Sequence, residues 1–221
     1  MPRASIPPCL LVAGALLFAP SLARATTITD PAGDFLSTFT GPHNGDMDVL
    51  SVGAVDNATQ VTLTANLAGP IGTTPGGIYV IGVNRGGGQP LLTFGTPSVG
   101  AGVNFDAVIV LNPAGGSIVN LLLPTAQPPE PLTSVTFSGS TFTAVVPFSL
   151  LPTNGFAPSQ YLYNLWPRNG LGSNVQISDF APNASSFAAS APEPGTWALL
   201  LLGFGALGAV SRRRRGRLVA G

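Results

Sequence analysis

Four aspartates fall within nineteen residues near the start of the chain, in Asp30-Pro31-Ala32-Gly33-Asp34 and in the stretch from Gly41 that ends with Asp46-Met47-Asp48. Carboxylates at this density suit a hard divalent cation, since calcium takes about six to eight oxygen ligands from carboxylates and loop carbonyls. Asp46 and Asp48 are two apart, so in an extended segment both project from one face and can converge on one ion. The competing reading is local: Asp beside Gly and Pro caps turns through neighbouring backbone amides.

Other chemistries lack their parts. His43 is the single histidine and Cys9 the single cysteine, and neither a G-x-S-x-G nor an H-E-x-x-H run occurs, which argues against nucleophilic and zinc catalysis. His43 then reads as a loop residue. A carboxylate pair of the glycosidase kind is the remaining catalytic option, that of a secreted carbohydrate-active enzyme. Glu130, however, lies in a proline-rich loop, and the aspartates cluster where a cation would neutralise them. Tyr161, Tyr163 and Trp166 form an aromatic stretch beside Arg168, and such rings offer faces on which sugars stack. In a regular strand Tyr161 and Tyr163 share one face and Trp166 takes the other, so at least one of the two faces belongs to the core.

Between Thr26 and Ser190 short apolar or alternating runs recur between clusters of Gly, Pro, Asn and Asp, with no internal repeat and no amphipathic stretch of helical length. This pattern predicts an all-β domain. VTLTANL is the clearest strand: Val61, Leu63, Ala65 and Leu67 face one way, and Thr62, Thr64 and Asn66 the other. VLSVGAV pairs with it through Asp56-Asn57-Ala58-Thr59. GIYVIGV, LLTF, NFDAVIVL, SIVNLLL, SVTFS with TFTAVV across Gly139, YLYNLW and VQISDF complete about nine or ten strands. Their number and short loops favour an antiparallel two-sheet sandwich, jelly-roll-like, over residues 26–182. Residues 123–131 read as a surface loop and 183–191 as a spacer.

The first twenty-five residues have a basic start (Arg3), an apolar core from Cys9 to Ala19 and an A-x-A ending at Ala25, the build of a secretory signal peptide cut before Thr26. The exported body then holds no cysteine and rests on its own core or on a bound ion. The formal net charge of +0 hides an asymmetry, because seven of nine arginines lie at the two ends. The body keeps Arg85 and Arg168 against eight carboxylates, a net charge near −6. Phosphate backbones repel such a surface, which excludes nucleic acid and favours divalent cations.

The C-terminus joins Pro192-Glu193-Pro194, an uncharged run over 195–210, and the four consecutive arginines Arg212, Arg213, Arg214 and Arg215. Sixteen helical residues span about 24 Å, a single short membrane helix, with Trp197 and the arginines at the two interfaces. The arginines hold the end in the cytoplasm, which leaves the triplet outside as an extended segment. A plain membrane anchor accounts for the helix and the arginines but not for the triplet. Together the three parts resemble the PEP-CTERM sorting signal of Gram-negative bacteria over residues 192–217. In that resemblance Pro192, Glu193 and Pro194 are the sorting triplet, and Arg212, Arg213, Arg214 and Arg215 are its basic end. It implies export, transient membrane anchoring, and cleavage near the triplet by an exosortase, in organisms that build exopolysaccharide.

The run DPAGDF, then GPHNGDMDVLSVGAV and QVTLTANLAGP, with VNFDAVIVL, AVVPFSLL and VQISDFAPN further on, loosely resembles DOMON-like and family 9 carbohydrate-binding β-sandwiches. That resemblance implies calcium ligands at Asp30, Asp34, Asp46 and Asp48, with Asp179 a later contributor. Phe35 stands where a second carboxylate is usual after the DxxGD segment. The combined expectation is a non-catalytic β-sandwich at the cell surface or in the extracellular matrix, binding calcium and associated with exopolysaccharide through Tyr161, Tyr163 and Trp166. The alternative is a passive matrix protein without a specific ligand.

Overall fold

The computed structural model describes residues 26–190, and in them the apolar alternation becomes two antiparallel sheets. The strands are β1 (Thr26–Thr29), β2 (Val49–Asp56), β3 (Gln60–Leu67), β4 (Gly77–Asn84), β5 (Ala107–Leu111), β6 (Ile118–Leu121), β7 (Glu130–Pro131), β8 (Val135–Ser138), β9 (Thr141–Pro147), β10 (Leu162–Asn169) and β11 (Phe187–Ala188). One sheet has the order β1-β2-β3-β9-β8 and the other β11-β10-β4-β5-β6-β7. The chain passes between sheets after β3, β7 and β9. Among the described residues no helix is long and apolar enough to cross a membrane. The expected signal peptide over 1–25 and the expected membrane helix over 195–210 lie outside the described residues.

The hairpin of β2 and β3 follows from its residues. The Asn57 Oδ1 accepts from the amides of Thr59 at 2.9 Å and Gln60 at 3.1 Å, which closes the turn. Val61, Leu63, Ala65 and Leu67 are all buried, in one core with Tyr79, Ile81 and Ile109 of the opposite sheet. β4 is different. It is buried on both faces, which explains why GIYVIGV reads as a continuous apolar run rather than an alternating one. Its outer side meets a second cluster, in which Val80 and Trp166 are covered by Val103, Phe105, Ile177 and Phe180 from the loops.

Gly82 makes room for that layer. A Cβ built there would lie 2.6 Å from two atoms of the Trp166 ring. Gly82→Ala is therefore expected to cost about 1–3 kcal/mol through overpacking, to be read as a shift in denaturant midpoint at unchanged slope.

Several segments depart from expectation. LLTF is a 3-10 turn, Leu91–Phe94, tied by Thr93, whose amide and hydroxyl both donate to the Pro90 carbonyl. VQISDF begins as the 3-10 turn Asn174–Gln176 and then runs along β10 through isolated bridges, Arg168 with Ile177 and Leu165 with Ala181. The Asn164 amide, donating to the carbonyls of Pro182 and Ser185 at 2.7 Å each, holds the loop that follows. The stretch expected as a spacer over 183–191 contributes β11, paired with Leu162 and Tyr163, and a bridge from Ser190 to Val55. β1, β7 and β11 are two to four residues long. They owe their form to the strands beside them.

Candidate metal centre

β2 opens with a β-bulge, and the bulge builds the site. Register shifts between Val49 and Ser51, which leaves the Leu50 carbonyl to accept from the Asp30 amide at 2.9 Å and the Val49 amide to donate to Asp179 Oδ2 at 2.9 Å. Bulges commonly end pairing and re-aim side chains in this way. The strap that follows β1 lies along the 175–178 segment, where the amides of Leu36 and Thr40 donate to the carbonyls of Ser178 and Val175 at 2.8 and 3.0 Å. The Ser178 hydroxyl in turn donates to the Met47 carbonyl at 2.7 Å. Residues from opposite ends of the body thus meet at one corner.

One carboxylate oxygen from each of Asp30, Asp34 and Asp179 lies within 4.8 Å of the other two. Calcium binds oxygen at about 2.3–2.6 Å, so ligands across one ion can be about 5 Å apart, and the spacing fits. Asp48 lies beside this group from the β2 side, its Oδ2 accepting from the Gly33 amide at 2.9 Å. Asp48 is only 5 % exposed. Its Oδ1, like Asp30 Oδ2 and Asp34 Oδ1, is buried without a hydrogen-bond partner. Such atoms are rare in folded proteins and call for a water or an ion. The donor set is all oxygen, which suits a hard cation.

Among the described residues no basic side chain answers this charge. Arg85 pairs with Asp106 at 3.0 Å, and Arg168 donates to the carbonyls of Gly170 and Ser173 at 2.6 and 3.0 Å. Burial, and after it the neighbouring carboxylates, consequently raise Asp30, Asp48 and Asp179. Burial first, then Asp179, Asp34 and Asp48, push Asp30 up from 3.8 to about 7. Burial likewise pushes Asp179 up to about 7, against the Val49 and Phe180 amides and with help from Asp34 and Asp48. Asp48 is raised by burial, partly offset by the Gly33 amide.

A carboxyl whose folded pKa exceeds its unfolded value favours the folded state while protonated. That contribution is complete below 3.8 and is lost as pH rises through about 7. Ion-free protein is expected to melt at a lower temperature at pH 8 than at pH 5, with calcium removing the difference. Thermal scans in chelator and in calcium check this, and a chelated protein that melts higher at pH 8 contradicts it.

Asp46 does not belong to the cluster. It is fully buried, with Oδ2 accepting from the Thr74 amide at 2.7 Å and Oδ1 from the Thr74 hydroxyl at 2.6 Å. Asp46 and Asp48 do not share a face because residues 45–47 form a 3-10 turn, with about three residues per turn, so positions two apart diverge. Gly45 lets the backbone after β3 pack against that turn, since a Cβ there would lie 2.6 Å from the Gly69 nitrogen.

The expected aromatic platform does not form. Tyr161 and Tyr163 are 0 % and Trp166 is 1 % exposed. The two tyrosines enter the inter-sheet core and Trp166 the outer layer. The division of faces is as expected, but loops cover the second face as well. Tyr161 Oη donates to the Leu151 carbonyl at 3.0 Å. His43 is an exposed loop residue stacked on Phe35 at 4.4 Å between centroids. Sequence reasoning passes over Asn183, whose amide donates to Asp34 Oδ2 at 2.9 Å, and the Arg85–Asp106 pair, which has no local signal.

A comparison with curated proteins finds no match. The sorting residues expected at Pro192, Glu193 and Pro194 and at Arg212, Arg213, Arg214 and Arg215 all lie outside the described residues, so their support comes from sequence. Residues 190–215 match the family described as the PEP-CTERM protein-sorting motif, a span that holds the triplet and all four arginines, and the chain thus carries the sorting signal of an exported, exosortase-processed bacterial protein.

Proposed function

We propose that the chain is a cell-surface or matrix protein of a Gram-negative bacterium whose β-sandwich is a non-catalytic, calcium-dependent module associated with exopolysaccharide. The observation that carries this reading is the cluster of Asp30, Asp34 and Asp179 with Asp48 beside it, where buried oxygens of Asp30, Asp34 and Asp48 have no partner. Asp30, Asp34, Asp48 and Asp179 would hold the ion, which supplies positive charge where the described residues bring none. Membrane anchoring through residues 195–210 is transient, and exosortase releases the body near Glu193.

Exopolysaccharide association finds support on the outer face of the first sheet. There Thr62, Thr64, Asn66, Thr141 and Thr143 alternate with buried residues. The Asn66 amide donates to Ser51 Oγ at 3.0 Å, and the Thr141 hydroxyl donates to Asn66 Oδ1 at 2.7 Å. A cavity of about 220 Å³ opens among Thr27, Ser51, Thr62, Thr64 and Asn66. This uncharged, hydroxyl-bearing surface suits hydrogen bonding to a neutral polyhydroxylated polymer. Burial of the three expected stacking residues favours the second reading, a passive matrix component.

Retention of the released protein on the host's own exopolysaccharide, measured in calcium and in chelator, separates the two. Retention that weakens when calcium is removed is the expected result. Passage through every glycan tested, with and without calcium, favours the passive role.

A further inference from the structure

The candidate metal centre sits between two pieces of chain that meet beside the backbone bonds from Leu36 to Ser178 and from Thr40 to Val175. Asp30 and Asp34 belong to the strap after β1, while Asp179 begins the last stretch of the domain, 149 positions after Asp30. Beyond Asp179 the chain is held by the Leu165–Ala181 bridge, by the Asn164 amide on the Pro182 and Ser185 carbonyls and by buried Phe187, while β11 is two residues long and residues 183–185 are exposed. Asn183 reaches back to Asp34 at 2.9 Å. Between residues 30–40 and 179–190 themselves, the carboxylates of Asp30, Asp34 and Asp179 and the Asn183 contact to Asp34 are the polar groups that face each other.

An acidic corner of this kind has two states. With an ion, the carboxylates attract a common centre and pin both pieces. Without one, the carboxylates face each other across the seam with no cation between them, and each that ionises repels the others. Asp48 makes the corner more than a surface cluster, because it is 5 % exposed with its Oδ1 unpartnered and its Oδ2 bound to the Gly33 amide inside the same turn.

Resting on the calcium reading above, we infer that the ion is a clasp between residues 30–40 and 179–190, so that order in the segment leading to Pro192 depends on calcium. Extracellular calcium sites commonly bind with dissociation constants of about 10⁻⁴–10⁻³ M. A clasp of that strength is open at cytosolic calcium and closes after export. The exit segment is then loose while the chain crosses the membrane and becomes docked on the sandwich outside.

Hydrogen exchange read by mass spectrometry on the full chain in detergent micelles, beside calorimetric titration with calcium chloride, tests the clasp. Calcium is expected to slow exchange in peptides covering 30–40 and 181–190 on the order of tenfold, and peptides from β3 far less. Asp34→Asn, nearly isosteric and still able to bond Asn183, is expected to abolish the calcium effect at both segments. Asp46→Asn, outside the cluster, keeps calcium binding and the local protection. Binding with equal slowing in β3 and in 181–190, or protection that survives in Asp34→Asn, overturns the clasp while leaving a calcium site standing. Absence of calorimetric binding by the unaltered chain overturns the calcium reading and the clasp with it.

Discussion

Replacing Asp106 with alanine is expected to cost about 3–5 kcal/mol of folding stability, the usual result of leaving one partner of a buried ion pair uncompensated. Arg85 is 2 % exposed and Asp106 is fully buried. The carboxylate Oδ1 accepts from the Arg85 amide at 3.1 Å and from its Nε at 3.0 Å, while Oδ2 accepts from the Gly87 amide at 3.0 Å and from Asn154 at 2.7 Å. The guanidinium also donates to the carbonyls of Pro152 and Leu123 at 2.6 and 2.8 Å. One ion pair thus ties together the loops after β4, after β6 and before β10. A domain with about 5–15 kcal/mol in hand loses much of its margin with it. Chemical denaturation checks the loss, and a change under about 1 kcal/mol, the worth of an exposed pair, would show that the network contributes far less than its geometry implies. The double variant Arg85→Met with Asp106→Leu is expected to cost less than the sum of the singles, because neither charge is then left alone.

Calcium is expected to have the second large effect. Any ion that binds the folded state alone stabilises it by about 2.7 kcal/mol at one hundred times its dissociation constant, which corresponds to about 5–10 °C for a domain near this size. The melting temperature should rise steadily with calcium concentration and return on chelation. Asp179→Asn and Asp34→Asn should each remove most of the rise, whereas Asp46→Asn should lower stability in calcium and in chelator alike. Calorimetric melting decides the matter. No rise at calcium concentrations of about 10–100 mM, one hundred times such a dissociation constant, would mean that the orphaned oxygens of Asp30, Asp34 and Asp48 are met by water and protons instead.

Local pattern carries the fold where each residue answers to one neighbour. Val61, Leu63, Ala65 and Leu67 alternate because one side of β3 meets the core, and Asn57 marks the turn before it through its side-chain contacts with nearby amides. Pattern fails where a second layer intervenes. Trp166 faces away from the inter-sheet core, as its spacing requires, but the loops carrying Phe105 and Phe180 cover it, and nothing near residue 166 announces loops from far along the chain. LLTF misleads because three apolar residues and a threonine fit a strand and a 3-10 turn equally well.

The candidate site is legible in part for the same reason. The density of aspartates points to Asp30, Asp34 and Asp48, but only a family resemblance supplies Asp179, whose approach depends on the β2 bulge. Asp46 is misplaced when an extended backbone is assumed across residues that form a turn. Asn183 escapes notice within a segment that reads as mere spacer.

Delivery by the C-terminal signal is the claim on which the destination of this domain rests. Intact-mass spectrometry of the mature protein recovered from the outer surface or medium of its native host tests it most directly. The expected product begins at Thr26 and ends near the Pro192-Glu193-Pro194 triplet, lacking Arg212, Arg213, Arg214 and Arg215. A surface protein that retains those four arginines would contradict the claim and leave the C-terminus an ordinary anchor.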